Sequence, residues 1–153
     1  MLLVAVVLAA CRGSARPATS ASPDADRADL TRLIAAQLDR SASDWNRGDL
    51  NGFLSDYAPE STTTYVDGRR SRPGMTFIRG VYAPRFAPGG KRDSLHFEEL
   101  EVRPLSATLA LVTARFILQR NGAITSSGPF TLVMESRPEG WKILHDHSSS
   151  DPR

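Results

Sequence analysis

The feature that most constrains the fold is a series of alternating apolar and polar residues in the second half of the chain. Three such stretches, over residues 95–103, 109–119 and 130–135, lead into a fourth over residues 140–149. Alternation with a period of two is typical of β-strands that bury one face. An Asn-Gly pair after the second stretch and a Pro-Glu-Gly turn before the fourth are hairpin signals. The sequence therefore predicts an antiparallel meander of four strands.

The first half of the chain carries helical spacing instead. Apolar residues recur at intervals of three and four from Leu30 to Trp45, and Gly48 follows as a stop signal. Asp24 or Asp26 is available as an N-cap. This pattern predicts a long amphipathic helix with one buried face.

Shorter elements connect this helix to the meander. Asp49 can cap a second helix that Pro59 ends, and the threonine-rich residues 61–66 form a strand pattern. Residues 73–86 follow as a short helix or two turns. The whole order predicts an α+β domain with helices packed on one face of a curved antiparallel sheet.

The N-terminal segment indicates where the protein resides. Residues 1–10 form an unbroken apolar run that ends in small residues, and Cys11, the single cysteine of the chain, comes directly after it. This arrangement resembles the signal peptide and lipobox of a bacterial lipoprotein, which implies lipidation of Cys11 and anchoring in the cell envelope, at the outer membrane or its periplasmic face. The run is too short to span a bilayer. Because no basic residue precedes it, a mistaken start site and a buried strand of a cytoplasmic protein remain open as alternatives.

Composition divides the remaining chain into a tether and one domain. Residues 11–25 are rich in Ser, Ala, Pro and Arg without apolar periodicity, which predicts a disordered tether. Residues 26–150 have the length of a single domain with one core. The net charge of +2 combines 19 basic and 17 acidic residues in a mixed order. No basic stripe with interleaved aromatic residues is present, so the sequence argues against nucleic-acid binding.

The last predicted strand ends in polar residues on its apolar side. Alternation puts Trp141, Ile143, His145, His147 and Ser149 on one face. An apolar surface that turns polar towards its end suggests the mouth of a pocket, and a strand that frays into water is the alternative. Two histidines spaced in this way can chelate zinc, yet no third ligand is evident, so we predict neither a metal nor a cofactor.

The order of elements and two short phrases resemble one protein family. Residues 45–50, Trp-Asn-Arg-Gly-Asp-Leu, and residues 140–149 are similar to segments of the cone-shaped superfamily of nuclear transport factor 2, and most of all to its SnoaL-like and ketosteroid-isomerase-like bacterial branch. The resemblance covers residues 30–149. It implies a curved antiparallel sheet wrapped around a long N-terminal helix, two shorter helices, a cavity on the concave face and a homodimer formed through the outer face. The same cone hosts isomerases, cyclases, dehydratases and transport factors, so it leaves the function open.

The resemblance also implies a set of site residues. His147 is the candidate catalytic residue, because it forms with Ser149 the closing His-x-Ser of the family, and His145 would lie one step deeper in the cavity. Asp146 falls on the outer face by alternation, so no carboxylate base can be placed. The candidate ligand-binding aromatic residues, which line or close the cavity in the family, are Trp45, Phe53, Tyr57, Tyr65 and Tyr82.

Three classes of function are compatible with these features. The favoured one is a lipid-anchored domain that holds a mostly apolar small molecule. The second is an isomerase, cyclase or dehydratase that uses general acid–base chemistry in the same cavity. The third is a subunit that interacts with other proteins. A homodimer is expected in each case from apolar residues on the outer face, namely Leu111, Ile117, Val133 and Leu144.

Overall fold

The computed structural model describes residues 23–67 and 71–152, in which three helices pack against a six-stranded sheet. The predicted signal peptide and Cys11 lie outside the described residues, whereas residues 23–25 of the predicted tether belong to the first helix. In chain order the elements are α1 Pro23–Arg47, α2 Leu50–Leu54, β1 Thr64–Val66, β2 Ser71–Pro73, α3 Met75–Phe86, β3 Ser94–Pro104, β4 Leu109–Arg120, β5 Ala123–Arg137 and β6 Gly140–Ser148.

Helix α1 is the long amphipathic helix that the spacing predicts. Asp24 and Asp26 lie in its first turn rather than at the N-cap, where carboxylates still favour the positive end of the helix dipole. The helix ends before Gly48, whose φ of 84° is a left-handed conformation that glycine adopts without strain. Its buried stripe consists of Ile34, Leu38, Ala42 and Trp45.

Helix α2 and the residues after it connect the helices to the sheet. Asp49 caps α2 as predicted, since its side chain accepts a hydrogen bond of 2.8 Å from the Gly52 amide. Beyond the helix, the Ala58 amide donates to the Ile143 carbonyl at 2.9 Å. This contact belongs to a short parallel bridge between Tyr57 and Ile143, which holds Tyr57 against β6.

The sheet has the strand order β2-β1-β6-β5-β4-β3. Strands β3 to β6 form the predicted antiparallel meander. The prediction of a wholly antiparallel sheet is wrong at one pair, because β1 lies parallel to β6. The sequence pattern also missed the edge strand β2 and the first seven residues of β5. The seven residues of β5 include Ser, Gly and Pro, which weaken a strand pattern. They nevertheless form part of the strand, because β4 supplies hydrogen-bonding partners along their length.

Register shifts bend the sheet around the helices. Each neighbouring pair in the meander contains one shift, and an extra residue on one strand bends it and increases its twist. The hydrophobic core fills the concave side, where α1 packs against β3 and where Ile78, Val112 and Met134 are fully buried. Within residues 23–67 and 71–152, no helix is long and apolar enough to cross a membrane.

Candidate functional site

A cavity of about 320 Å³ lies between the helices and the concave face of the sheet. This volume falls within the range of small-molecule sites, which begins at roughly 300 Å³. Most of its wall is aliphatic or aromatic, and the sheet contributes Leu95, Phe97, Phe116, Leu118, Phe130, Leu132 and Ile143. The cavity therefore suits a mostly apolar guest.

Helices α1, α2 and α3 close the cavity with a cluster of aromatic rings. The ring of Trp45 meets that of Phe53 edge to face at 5.2 Å between centroids, and Phe53 meets Tyr82 at 4.9 Å. Tyr82 also contacts the ring of Tyr65 on β1 at 5.6 Å. Aromatic pairs in this geometry contribute beyond their buried area, so the wall is a packed surface with defined ring positions.

A buried carboxylate lies in this apolar lining, and the exposed Asp67 also borders the cavity. Asp146 of β6 is 5 % exposed and borders the cavity. It pairs in register with Leu132 on β5 and with Tyr65 on β1, both of which also line the cavity. Asp146 is therefore an inward-facing residue.

The Asp146 carboxylate is held by hydroxyl groups. The Tyr57 hydroxyl donates a hydrogen bond of 2.6 Å to Oδ2, and the Ser148 hydroxyl donates one of 2.9 Å to Oδ1. The hydroxyl oxygens of Tyr57 and Tyr82 lie 3.3 Å apart, which extends the network to α3. No arginine or lysine of the described residues hydrogen bonds to this carboxylate, so its charge has only dipolar partners and the nearby His147.

Burial sets the protonation behaviour of this cluster. Loss of solvation raises the pKa of Asp146 to about 6, and the hydrogen bonds from Tyr57 and Ser148 limit the rise. Burial and the nearby Asp146 raise the pKa of Tyr65 to about 12 and that of Tyr57 and Tyr82 well above the usual value. The tyrosines thus stay neutral near pH 7 and remain hydrogen-bond donors, whereas Asp146 gains or loses its proton close to neutral pH.

The structure contradicts the predicted positions of both histidines. The pairing of β5 with β6 shifts between Val133 and Met134, which leaves Leu144 as an extra residue on β6. From that point the alternation is reversed, so His145 and His147 point away from the cavity and Asp146 points into it. His145 Nδ1 lies 2.6 Å from the Thr64 hydroxyl.

The remaining predicted site residues do line the cavity. They are Trp45, Phe53, Tyr57, Tyr65, Tyr82 and Ser149; their part in binding stays a prediction. His147 is exposed on the opposite side of β6, which removes the geometric basis for its predicted catalytic role. Sequence reasoning missed Asp146 and Ser148. The signal that could have found them is the adjacent apolar pair Ile143 and Leu144, which breaks strict alternation where the bulge occurs.

No cluster of metal ligands accompanies the site in the described part of the chain. Residues 23–67 and 71–152 contain no group of three His, Cys, Asp or Glu side chains that could hold an ion.

A curved sheet that closes on a long helix around an apolar cavity defines the nuclear transport factor 2-like class of folds. The chain is similar to an NTF-2 like protein of unknown function from Shewanella oneidensis, with 28% identity, a TM-score of 0.70, and coverage of 78% of this chain and 98% of that one. It belongs to the SnoaL-like domain family, which it matches over residues 34–152.

Two more solved structures share the fold at lower identity. A ketosteroid isomerase-like protein from Erwinia carotovora is 17% identical, with a TM-score of 0.60 and coverage of 82% of this chain and 98% of that one. An NTF2-like superfamily protein from Salmonella enterica is 14% identical, with a TM-score of 0.62 and coverage of 82% and 94%. The comparison with curated proteins gave no match.

Proposed function

We propose that this domain binds a mostly apolar small molecule and holds one polar group of that molecule at Asp146. The single observation that carries the proposal is the position of this carboxylate, which borders a cavity whose other walls are largely aliphatic and aromatic. A ligand hydroxyl placed there can donate to the ionised carboxylate, and a ligand oxygen can accept from the tyrosine hydroxyls.

The energetics of burial support a functional role for this residue. Taking a carboxylate out of water without a hydrogen bond from a cationic side chain costs free energy, and a leucine would fill the same position without that cost. A buried acid with a raised pKa that borders a cavity is typical of a binding or catalytic site. The fold family often binds small molecules or acts as isomerases, which agrees with this reading.

A fluorescence titration with 2-naphthol tests the proposal, since this probe combines an apolar ring system with one hydroxyl. We expect Asp146→Asn to weaken binding about tenfold or more, because a hydrogen bond to a charged group contributes about 1.5 to 3 kcal/mol. Binding to the wild type should also weaken as the pH falls through the Asp146 pKa of about 6, since the protonated acid is a poorer acceptor.

Two variants provide controls for this titration. His147→Ala removes an exposed side chain on the other side of the same strand and should leave the affinity unchanged. Asp56→Asn removes a buried carboxylate that lies outside the cavity lining, and it too should leave the affinity unchanged while the protein stays folded. Equal affinities for the wild type and Asp146→Asn at every pH would contradict the proposal.

Proton transfer by Asp146 is the second candidate function. Its pKa of about 6 lies near neutrality, where a general base works best. In an isomerase or cyclase reaction, the carboxylate would take a proton from the carbon next to a ketone. The resulting enolate oxygen would accept a hydrogen bond from Tyr82 or Tyr65, and the carboxylic acid would return the proton to carbon.

Hydrogen–deuterium exchange at the carbon next to a ketone tests this candidate. The probe is 2-tetralone in deuterated buffer, followed by proton NMR. We expect the wild type to accelerate exchange and Asp146→Asn to abolish the acceleration, whereas His147→Ala should retain it. Equal exchange with the wild type and Asp146→Asn would leave the domain as a binder without this chemistry.

The location and assembly of the protein are further parts of the proposal. The apolar run of residues 1–10 and the single Cys11 support a lipid-anchored protein at the bacterial envelope. Half-buried Leu111 and Val133, on the side of the sheet away from the cavity, support a homodimer. Ile117, which the sequence placed on the same surface, is only 5 % exposed within the monomer and adds little to an interface.

A further inference from the structure

Among the described residues, one cation lines the cavity. Arg85 lies on α3 one turn after Tyr82, and its guanidinium stands over the Trp45 ring, 5.6 Å from the centroid. The stacking holds the guanidinium of this exposed side chain against the aromatic wall. It leaves the hydrogen-bonding edge of the guanidinium free to contact another group.

Arg85 and Asp146 border the cavity from different elements. Asp146 lies on β6, where it pairs with Leu132 on β5 and accepts hydrogen bonds from Tyr57 and Ser148. Arg85 lies on α3 over the Trp45 ring and acts electrostatically on Asp93, whose carboxylate accepts a hydrogen bond from Thr125. The guanidinium and the Asp146 carboxylate form no ion pair among the described residues, so each can contact a different group of one ligand.

The guanidinium of Arg85 has no carboxylate partner in the described part of the chain. Arg120 forms the ion pair with Asp93 at 2.5 Å, and Arg85 forms none among residues 23–67 and 71–152. The Ser126 hydroxyl, which also lines the cavity, likewise makes no hydrogen bond to the described residues. The cavity lining therefore offers a cation and a hydroxyl to a ligand.

The charged groups around the cavity have opposite signs. Asp146 and Asp67 both raise the pKa of Tyr65, whereas Arg85 lowers it. An anionic group of a ligand is disfavoured beside the two carboxylates and favoured beside the guanidinium. The apolar walls around these groups require an uncharged ligand body.

We propose that the ligand is an amphiphilic carboxylate, whose anionic group binds Arg85 and whose apolar body carries a neutral hydroxyl or carbonyl group to Asp146 and Tyr57. This inference rests on the proposed function, because it uses the same cavity and adds the anion site. Guanidinium and carboxylate match in geometry and can form two parallel hydrogen bonds.

The test compares two probes of equal length by titration calorimetry of the full chain. 12-Hydroxydodecanoate and 1,12-dodecanediol share the apolar chain and one terminal hydroxyl, and only the first carries a carboxylate. We expect the wild type to bind the hydroxy acid five- to tenfold more tightly than the diol. Arg85→Gln should remove this preference without changing the affinity for the diol, and Arg85→Lys should retain part of it.

Arg92→Gln is the matched control, because Arg92 also stands over an aromatic ring, that of Phe86 at 5.2 Å, yet does not line the cavity. It should keep the full preference for the hydroxy acid. Equal binding of both probes to the wild type, or an unchanged preference in Arg85→Gln, would overturn the anion site and leave the proposed function intact. Failure of both probes and of 2-naphthol to bind would overturn the proposed function as well.

Discussion

The Tyr57 hydroxyl donates a hydrogen bond of 2.6 Å to the Asp146 carboxylate, which joins the segment after α2 to the last strand of the sheet. The bond is possible because Tyr57 bridges to Ile143, three residues before Asp146 on β6. The carboxylate is thereby fixed at the cavity wall by a donor whose own pKa is raised, so the donor keeps its proton at neutral pH.

The contribution of Asp146 to the stability of the wild type should fall as the pH rises from about 4 to about 6. The folded pKa of Asp146 is about 6 against an ordinary value of 3.8, so the folded state binds more protons than the unfolded state in that window. About 2 to 3 kcal/mol of unfolding free energy is lost across it. Other acids with lowered pKa values act in the opposite direction, so the difference between the wild type and Asp146→Asn isolates this contribution.

Urea unfolding at a series of pH values measures that difference. Asp146→Asn should gain stability relative to the wild type as the pH rises through the window, and the gain should level off above pH 6. A difference that stays constant from pH 4 to pH 7 would show that Asp146 titrates normally in the fold.

Arg40→Ala should destabilise the domain by roughly 2 to 4 kcal/mol. Arg40 forms ion pairs with Asp44, at 2.9 Å, and with Asp56, and both carboxylates are almost fully buried. Removal of the cation leaves buried charge with fewer partners, which is more costly than losing a surface pair.

Arg32→Ala is the control for that variant, measured in the same urea experiment. Arg32 pairs with Asp29, and both side chains are largely exposed. Loss of this surface ion pair should change the unfolding free energy by no more than about 0.5 kcal/mol. Similar values for the two variants would mean that the buried network contributes no more than a surface ion pair.

Gly128→Ala should destabilise the domain by about 1 to 3 kcal/mol and displace the residues after β6. A Cβ at this position would lie 1.8 Å from the Ser149 carbonyl oxygen. The segment is held there by the Ser149 amide, which donates to the Pro129 carbonyl at 3.0 Å. Thermal unfolding measures the loss.

Gly80→Ala serves as the comparison in the same thermal measurement. A Cβ at Gly80 meets no atom of the described structure within 4 Å, and the residue lies inside α3. The substitution should stabilise the helix by about 0.5 to 1 kcal/mol. Equal effects at both glycines would argue against the close approach at Gly128.

A homodimer through the outer face should dissociate when that face becomes charged. We expect light scattering at about 100 μM to give a dimer mass for the wild type and a monomer mass for Val133→Glu. Ile124→Glu changes an exposed apolar residue outside the proposed interface, and it should remain dimeric. A monomeric wild type would refute the assembly and leave the cavity proposals untouched.

Lipidation of Cys11 predicts that the full-length protein sediments with bacterial membranes. Cys11→Ser should release it into the soluble fraction or leave an unprocessed precursor, whereas Ser14→Ala should behave as the wild type. Equal distribution of the wild type and Cys11→Ser in fractionated cells would exclude the anchor.

The sequence by itself determined most of the elements and the family. The spacing from Leu30 to Trp45 gave α1, Asp49 gave the cap of α2, and the alternating stretches gave the meander. Periodicity and capping depend on neighbouring residues, which a sequence displays directly. The aromatic residues of the cavity were predicted from the family resemblance. Each aromatic residue was matched to the position on a helix or strand that lines the cavity in the family.

Only the tertiary structure decided which face of β6 meets the cavity. One extra residue at Leu144 moves Asp146 inward and His147 outward, and the bulge depends on how β6 pairs with Val133 and Met134 of β5. The parallel pairing of β1 with β6, which brings Tyr65 beside Asp146, depends likewise on contacts between distant segments. Because a shift of one residue reverses every later side chain of a strand, local alternation predicts a face only as far as the next bulge.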